Sequence, residues 1–342
     1  MKPGRRQVRR YGRGLRRASA ALVGIVAIVG TWLAGPGGRA MAAPPAPGEC
    51  IVPAKAGGGF DVTCKAAQAL LAETKALRLS YLPGGIGAVA YTTMVKQRPD
   101  DDDAIVAFSS GSLLNLAQGK FGPHTEADVR WLTVIGMDYG VVAVRKDSPY
   151  RTLQDLLAAL KRSPRSVTFG AGGTLGSQDW FKAALLAKAV GVSHRSLRFV
   201  AFEGGGDALT ALEGGHLSVF AGDAAEVSRH IAQGGKVRIL AVLADRRLPR
   251  ELADVPTARE SGVDLVWPIA RGFYMGPKAS EVAFREWRDL FQRALASPRA
   301  ETQLAAHALY PAALGGEDMR TFIEQNMAYY RRLVAELDLP RR

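Results

Sequence analysis

The residues of this chain best suited to binding chemistry are glycines and small polar residues at the ends of short apolar runs. Glycine lets a ligand approach the backbone closely, and the free N–H groups at a helix start carry a partial positive charge. Six turns of this type each follow a candidate strand and precede a candidate helix: Ala56–Asp61, Pro83–Ala88, Phe108–Ser112, Gly170–Trp180, Phe202–Ala208 and Ala221–Glu226. A set of such turns is typical of a site for carboxylate or phosphate groups. Any one of them alone is ordinary in a protein that alternates strands and helices.

Several side chains in or near these turns are candidates for direct contact with a ligand. Asp61 and Asp223 could each cap a helix or face the ligand. Arg271 could pair with a carboxylate or lie on the surface, and Tyr139 could line a cleft or pack at a hinge. Hydroxyl groups that could donate to a ligand, or cap helices instead, belong to Ser109, Ser110, Thr174 and Ser177.

The sequence contains no recognisable motif for catalysis or for a cofactor. The five histidines are dispersed, and neither H-E-x-x-H, nor G-x-S-x-G, nor the phosphate-binding G-x-x-x-x-G-K-[ST] occurs. The segment Gly170–Gly176 is similar to a dinucleotide-binding turn, but Leu175 occupies the position of its third glycine. These observations argue against an enzyme, a cofactor and a metal site, although catalytic residues can also lie far apart in a sequence.

Residues 1–42 differ in composition from the rest of the chain. They contain nine Lys and Arg residues and no Asp or Glu, followed by an apolar run over Ala18–Ala34 and small residues at Ala40-Met41-Ala42. This pattern predicts a secretory signal peptide cleaved near Ala42, and therefore a periplasmic protein. An uncleaved anchor is the alternative, and the Arg16-Arg17 pair leaves both the general and the twin-arginine export routes open.

The charge of the remaining chain is mild. Subtracting the nine basic leader residues from the formal net charge of +13 leaves about +4. A protein that binds nucleic acid through its phosphates needs a stronger basic patch, so no nucleic-acid partner is expected. An anionic small ligand is compatible with this balance.

Two cysteines, Cys50 and Cys64, lie on either side of the first glycine turn. In an oxidising compartment a disulfide between them is plausible, and two buried free thiols are the alternative. Two cysteines without supporting histidines do not make a zinc site.

The order of apolar runs and helical patterns predicts an α/β protein with largely parallel sheets. Two strand-like segments, Gly140–Tyr150 and Ala270–Lys278, could cross between two lobes. The expected first lobe then comprises residues 43–144 and 271–342, and the second lobe comprises residues 145–270. A cleft between two lobes is a common place for a ligand.

Seven segments taken in order carry a family resemblance: "ECIVPAKAGGGFDVTCK", "YLPGGIGAVAY", "VAFSSGSLLNLAQGKFG", "GAGGTLGSQDW", "VAFEGGGDALTAL", "DVPTARESGVDLVWP" and "RGFYMGPK". Together they resemble the extracytoplasmic receptors of tripartite tricarboxylate transporters, and the variant present here is most similar to the tricarboxylate-binding, citrate-type receptor. The resemblance implies the type II, clamshell fold of periplasmic binding proteins, in which two crossover strands join the lobes. It also implies that the protein captures its ligand without chemistry or cofactor and delivers it to a permease made of a large and a small membrane subunit.

The resemblance also implies which residues hold the ligand. The turn with Gly57, Gly58, Gly59, Phe60 and Asp61 holds a ligand carboxylate with the help of ordered water, and Phe60 packs behind the turn. Ser109 and Ser110 belong to the same lobe. From the other lobe the resemblance places Gly172, Gly173, Thr174, Ser177, Gly205 and Asp223 at the ligand. Arg271 and Tyr139 are added on physical grounds, because a tricarboxylate needs positive charge and a wall, and Lys55 is a weaker second cation.

Two other functions use the same architecture. A receptor that presents its ligand to a two-component signalling partner needs the same clamshell, and a small carboxylate other than citrate could be the ligand. The sequence leaves open the affinity and whether a metal binds together with citrate.

Overall fold

The computed structural model of the protein describes residues 47–339. The predicted signal peptide, residues 1–42, lies outside them. The described strands are β1 (Gly48–Val52), β2 (Leu77–Tyr81), β3 (Ala104–Ser109), β4 (Arg130–Arg145), β5 (Thr168–Gly172), β6 (Arg198–Phe202), β7 (Val219–Phe220), β8 (Val237–Leu243), β9 (Pro268–Met275) and β10 (Tyr310–Leu314). The helices are α1 (Gly59–Leu71), α2 (Ala88–Lys96), α3 (Ser110–Ala117), α4 (Leu153–Arg162), α5 (Gln178–Ala189), α6 (Gly205–Glu213), α7 (Ala224–Ala232), α8 (Glu281–Leu295), α9 (Ala300–Ala305) and α10 (Gly316–Glu336).

The long strand β4 connects the two parts of the sheet. The strand order is β2-β1-β3-β9-β4-β7-β5-β6, and β8 and β10 also pair with β4. The first part of β4, from Arg130 to Tyr139, pairs with β9, and its second part, from Gly140 to Arg145, pairs with β8. The sequence predicted a strand only from Gly140 onward, in the segment Gly140–Tyr150. Residues Arg130–Tyr139 also form strand because β9, which is distant in the sequence, pairs with them along that length.

The sense of the strand pairing differs from the sequence prediction. The outer pairs β1–β2, β1–β3, β5–β6 and β5–β7 are parallel, as expected for strands connected by helices. All pairings of β4 and β9 are antiparallel, so the prediction of largely parallel sheets is wrong for the centre. The α/β class itself is confirmed.

The six glycine-rich turns all become strand-to-helix connections, as predicted. They precede helices α1, α2, α3, α5, α6 and α7. Strands β1, β3 and β5 are followed by the starts of α1, α3 and α5, and each of these helices has buried residues in its first turn. The free N–H groups of several helix starts therefore face the interior of the protein.

Apolar side chains of the helices pack on the sheet. Phe291 of α8 stacks on Phe273 of β9 with ring centres 5.1 Å apart. Helix α10 buries Ile323, Met327 and Tyr330, which recur at three- and four-residue spacing and so share one helix face. Among residues 47–339 no helix is both long and apolar enough to cross a membrane.

Cys50 and Cys64 form a disulfide in the structure. Cys50 lies on β1 and Cys64 on α1, with Cα atoms 5.8 Å apart, and both are buried. The bond joins the strand before the first glycine turn to the helix after it. The alternative of two free thiols does not apply to this structure.

Replacing both cysteines by serine should lower the free energy of unfolding by about 2–4 kcal/mol, because the cross-link no longer restricts the unfolded chain. Denaturant unfolding of the mature chain, followed by circular dichroism, measures this difference. Reductant during unfolding should shift the midpoint of the wild type and leave the double variant unchanged. Equal stability of the two proteins without reductant would contradict the prediction.

Candidate functional site

Five helix starts surround one cavity that is partly open to solvent. Its volume is about 60 Å³, and the starts of α1, α3, α5, α6 and α7 all contribute to its wall. Nine of the fifteen residues predicted from the sequence line it: Gly58, Gly59, Phe60, Ser109, Gly172, Ser177, Gly205, Asp223 and Arg271. The structure therefore brings together residues as far apart in the chain as Gly58 and Arg271.

Gly57 and Asp61 lie beside the cavity in a network of their own. The Asp61 carboxylate accepts hydrogen bonds from the backbone N–H of Gly57 at 3.0 Å, from Lys65 at 2.8 Å and from Tyr81 at 2.8 Å. Burial would raise the pKa of Asp61, but these donors outweigh it and lower the pKa. Asp61 thus stabilises the turn Ala56–Asp61 through hydrogen bonds with residues of the protein itself.

Four further predicted residues have other surroundings. The Ser110 hydroxyl accepts a hydrogen bond from the backbone N–H of Ala270, at 2.9 Å. Tyr139 packs edge-on against Tyr310 with ring centres 5.7 Å apart. The backbone N–H of Gly173 donates to Phe202, and Thr174 lines a separate groove, so none of these four faces the cavity.

A buried chain of charges forms one side of the cavity. The Arg271 guanidinium contacts Asp138 and Asp223, each at 2.6 Å. The Lys182 ammonium contacts the same Asp223 and also Asp179, each at 2.7 Å. Each cation is therefore shared between two carboxylates, and all five side chains are buried.

Local structure explains how these groups meet. Asp179 and Lys182 lie one turn apart on α5, so their side chains share a helix face. Asp223 precedes α7 and turns toward Lys182 and Arg271 instead of capping its own helix. The start of α7 is satisfied by Asp138 of β4, which accepts from the backbone N–H of Ala225 at 3.1 Å.

The glycine at position 59 answers a steric need. The Arg271 guanidinium lies so close to the start of α1 that a Cβ atom at position 59 would be 2.2 Å from its Nη1 atom. No side chain larger than hydrogen fits at this distance. The glycine at position 59 therefore makes room for Arg271.

Glu226 of α7 occupies the start of α1. One of its carboxylate oxygens accepts a hydrogen bond from the backbone N–H of Gly59 at 2.5 Å. This is the position at which the sequence predicted a ligand carboxylate. Glu226 also lines the cavity, and it is buried.

The pKa values of these buried carboxyl groups shift in different directions. Burial and repulsion by Asp223 raise the pKa of Glu226 to about 8, and burial raises that of Asp179 to about 7 despite Lys182. Burial also raises the pKa of Asp138. Burial acts in the same direction on Asp223, but its two cations outweigh it, and its pKa is lowered.

Four of the charged residues were not predicted from the sequence: Asp138, Asp179, Lys182 and Glu226. Three of them had a weak signal: Asp138 interrupts the apolar strand VIGMDYGVVAV, and Asp179 and Lys182 are charged residues on a largely apolar helix. Charged residues in such surroundings need buried partners. Within residues 47–339 no group of three or more His, Cys, Asp or Glu side chains is placed to hold a metal ion.

Residues 66–339 match the model of the tripartite tricarboxylate transporter family receptor. The chain belongs to this family. The resemblance found in the sequence is thereby confirmed, and so is the expectation of a solute-binding receptor that is not an enzyme. The receptor has the α/β fold of periplasmic binding proteins.

Known proteins similar to the receptor agree with this assignment. A Cupriavidus necator protein, described as a UPF0065 protein in the gbd 5′ region, is 26% identical over 210 residues, or 61% of each chain, so the receptor spans about three fifths of that relative. MatC of Rhodopseudomonas palustris, solved with bound malate, is 20% identical with a TM-score of 0.72 over 84% of the receptor and 98% of MatC. A TctC solute-binding protein from Polaromonas, solved without ligand, is 25% identical with a TM-score of 0.59 over 85% and 98%.

Removing the central cation should destabilise the receptor strongly. Arg271→Met leaves Asp138 and Asp223 buried with one cation fewer, and we expect the free energy of unfolding to fall by about 3–5 kcal/mol. Denaturant unfolding at neutral pH measures it. Arg259, whose ion pairs with Asp245 and Asp264 are exposed, supplies the control, because Arg259→Ala should leave the midpoint nearly unchanged. Equal shifts in the two variants would contradict a central role of Arg271.

Stability should fall as the pH rises from about 4 to about 8. Unfolded carboxyl groups lose their protons near pH 4, whereas native Asp179 and Glu226 keep theirs up to about 7 and 8, so the native state binds more protons in this window. Groups with a lowered pKa, such as Asp61, act below about pH 4 and in the opposite direction. Thermal unfolding between about pH 5 and pH 9 tests this. Glu226→Gln should flatten the upper part of the profile, and parallel profiles for wild type and variant would refute the assignment.

Proposed function

We propose that the protein is an extracytoplasmic receptor that captures a small carboxylate in the cavity at the five helix starts and delivers it to the permease of a tripartite tricarboxylate transporter. The observation that carries this proposal is the convergence of five helix N-termini on one cavity. Such termini bind carboxylates through their free N–H groups and partial positive charge. The family supports the transport role.

Two features support a carboxylate as ligand. The Nε atom of Arg271 has no hydrogen-bond partner among residues 47–339, although the side chain is buried and lines the cavity. A buried donor of this kind calls for an acceptor. The structurally similar MatC was solved with malate, a small carboxylate.

The two lobes proposed here are residues 43–144 with 271–342, and residues 145–270. Several contacts join them around the cavity. Gln118 donates to the backbone carbonyl of Gly176 at 2.7 Å, and Arg229 donates to the carbonyl of Gly57. Together with the bond between Glu226 and Gly59, these contacts would form and break as the lobes close over a ligand and reopen.

Citrate as the specific ligand stays a prediction of the sequence resemblance. Periplasmic location after cleavage near Ala42, and docking on a large and a small permease subunit, belong to the same proposal. The composition of residues 1–42 and the family assignment support them.

A titration of the mature chain from Ala43 onward tests the function. We expect at least one small carboxylate among malate, succinate, adipate, glutamate and citrate to bind at one site per chain. A ligand at about 100 times its Kd should then stabilise the fold by about 2.7 kcal/mol. Calorimetric titration and thermal unfolding measure both effects.

Variants of Asn115 and Asn326 compare the effect of a cavity residue on binding with that of a residue outside the cavity. Asn115 lines the cavity, so Asn115→Leu should weaken binding by about tenfold through loss of a polar contact. Asn326 lies on α10, where its amide donates to the carbonyl of Phe322, and Asn326→Leu should leave the affinity unchanged. If none of the carboxylates binds, the proposed function fails.

A further inference from the structure

The cavity has features that point beyond a simple carboxylate. We infer that its ligand carries a cationic group, such as an ammonium, in addition to a carboxylate, and that Glu226 is the residue that recognises this cation. The inference rests on the proposed function and names the ligand class of the same cavity. Three observations support it: the balance of charges, the occupied helix starts, and the polar atoms without partners.

The charges around the cavity do not favour a polyanion. Four buried carboxyl groups, those of Asp138, Asp179, Asp223 and Glu226, face two buried cations, Arg271 and Lys182. Each cation already contacts two carboxylates. Neither cation is free for a ligand with two or three negative charges, whereas the buried carboxyl group of Glu226 has no ion-pair partner among residues 47–339 and can accept a ligand cation.

The helix starts that attract anions are partly occupied by the protein itself. Glu226 accepts from the N–H of Gly59 at α1, and Asp138 accepts from the N–H of Ala225 at α7. Gly59 and Glu226 both line the cavity, so a ligand carboxylate at the start of α1 would have to displace Glu226. The internal carboxylates therefore leave fewer donors for a citrate-like molecule.

Glu226 differs from the other three carboxyl groups because no cation among residues 47–339 forms an ion pair with it. Among the described residues, Asp138, Asp179 and Asp223 each contact Arg271 or Lys182, whereas no Lys, Arg or His forms an ion pair with Glu226. Its carboxylate lies at the junction of two helix starts. A Cβ atom at Gly205 of α6 would be 1.8 Å from the Oε2 atom of Glu226. The Oε1 atom of Glu226 accepts the hydrogen bond from the N–H group of Gly59 at the start of α1.

The protonation of Glu226 fits the lack of a counter-ion. Burial and neighbouring Asp223 raise its pKa to about 8, so the group holds a proton at neutral pH. A ligand ammonium beside it would replace that proton and favour the ionised form. Binding of a cationic ligand should therefore release a proton from Glu226, whereas binding of a polyanion should take up protons at Asp179.

Two polar atoms without partners indicate both ends of the ligand. Within residues 47–339 the Gln178 side-chain oxygen accepts no hydrogen bond, and the Arg271 Nε donates none. Both residues line the cavity. A free acceptor suits a ligand N–H group, and a free donor suits a ligand carboxylate, so one small molecule with both groups satisfies them together.

Matched ligand pairs test the inference directly. Aspartate differs from succinate, and glutamate from glutarate, by one ammonium group in place of a hydrogen. We expect the amine-bearing member of at least one pair to bind at least about tenfold more tightly than its partner, and more tightly than citrate. Calorimetry in buffers of different ionisation enthalpy should show proton release on binding of that member. Equal or tighter binding of the plain diacids or of citrate would overturn the inference.

Variants of Glu226 identify the residue responsible. Glu226→Gln keeps the shape and an acceptor for Gly59 but removes the charge. It should reduce the preference for the amine-bearing ligand by about tenfold or more and change the affinity for the diacid by less than about threefold. Glu301→Gln, an exposed change on α9, is the matched control and should preserve the preference. An unchanged preference in Glu226→Gln would refute the role of this residue.

The outcomes separate the two proposals. If diacids bind and the ammonium brings no advantage, the receptor function stands and the inference fails. If neither amino acids nor carboxylates bind, the proposed function fails and the inference fails with it. Should Glu226→Gln not fold, the wild-type ligand pairs and the proton release still decide the result.

Discussion

The Arg271 guanidinium lies between Asp138 and Asp223, against the start of helix α1. A buried cation of this kind is tolerable only with nearby carboxylates, and its removal would leave those carboxylates buried with less compensation. The three residues come from β9, β4 and the turn before α7. The same contact therefore holds the central strands and the α7 turn in the arrangement that encloses the cavity, and Gly59 is needed to admit it.

The helix starts around the cavity carry a second constraint. Each free N–H group at a buried helix start needs an acceptor, either from the protein or from a ligand. Asp138 and Glu226 supply acceptors at α7 and α1, while Lys182 ties Asp179 to Asp223. The cavity is thus a partly satisfied network, and its remaining donors and acceptors define what a ligand must offer.

Much of this site could be predicted from the sequence, but the ion pairs and pKa shifts of its charged residues could not. Glycine turns and apolar periodicity located the six helix starts, because both are properties of consecutive residues. Nine of fifteen predicted residues reached the cavity wall. Tyr139 did not, because its ring packs on Tyr310 of β10, a strand that the sequence pattern did not reveal. The antiparallel centre was also missed, since strand pairing depends on partners distant in the chain.

The sequence by itself determined the family, the α/β class, the helix starts and the pair of cysteines near enough to bond. These follow from local backbone chemistry and short spacing. Only the tertiary structure decided which charges meet. Arg271 is 133 residues from Asp138, and Glu226 is 167 residues from Gly59. No spacing rule connects residues so far apart. Packing of the strands and helices selects such partners, and burial then fixes how strongly they interact.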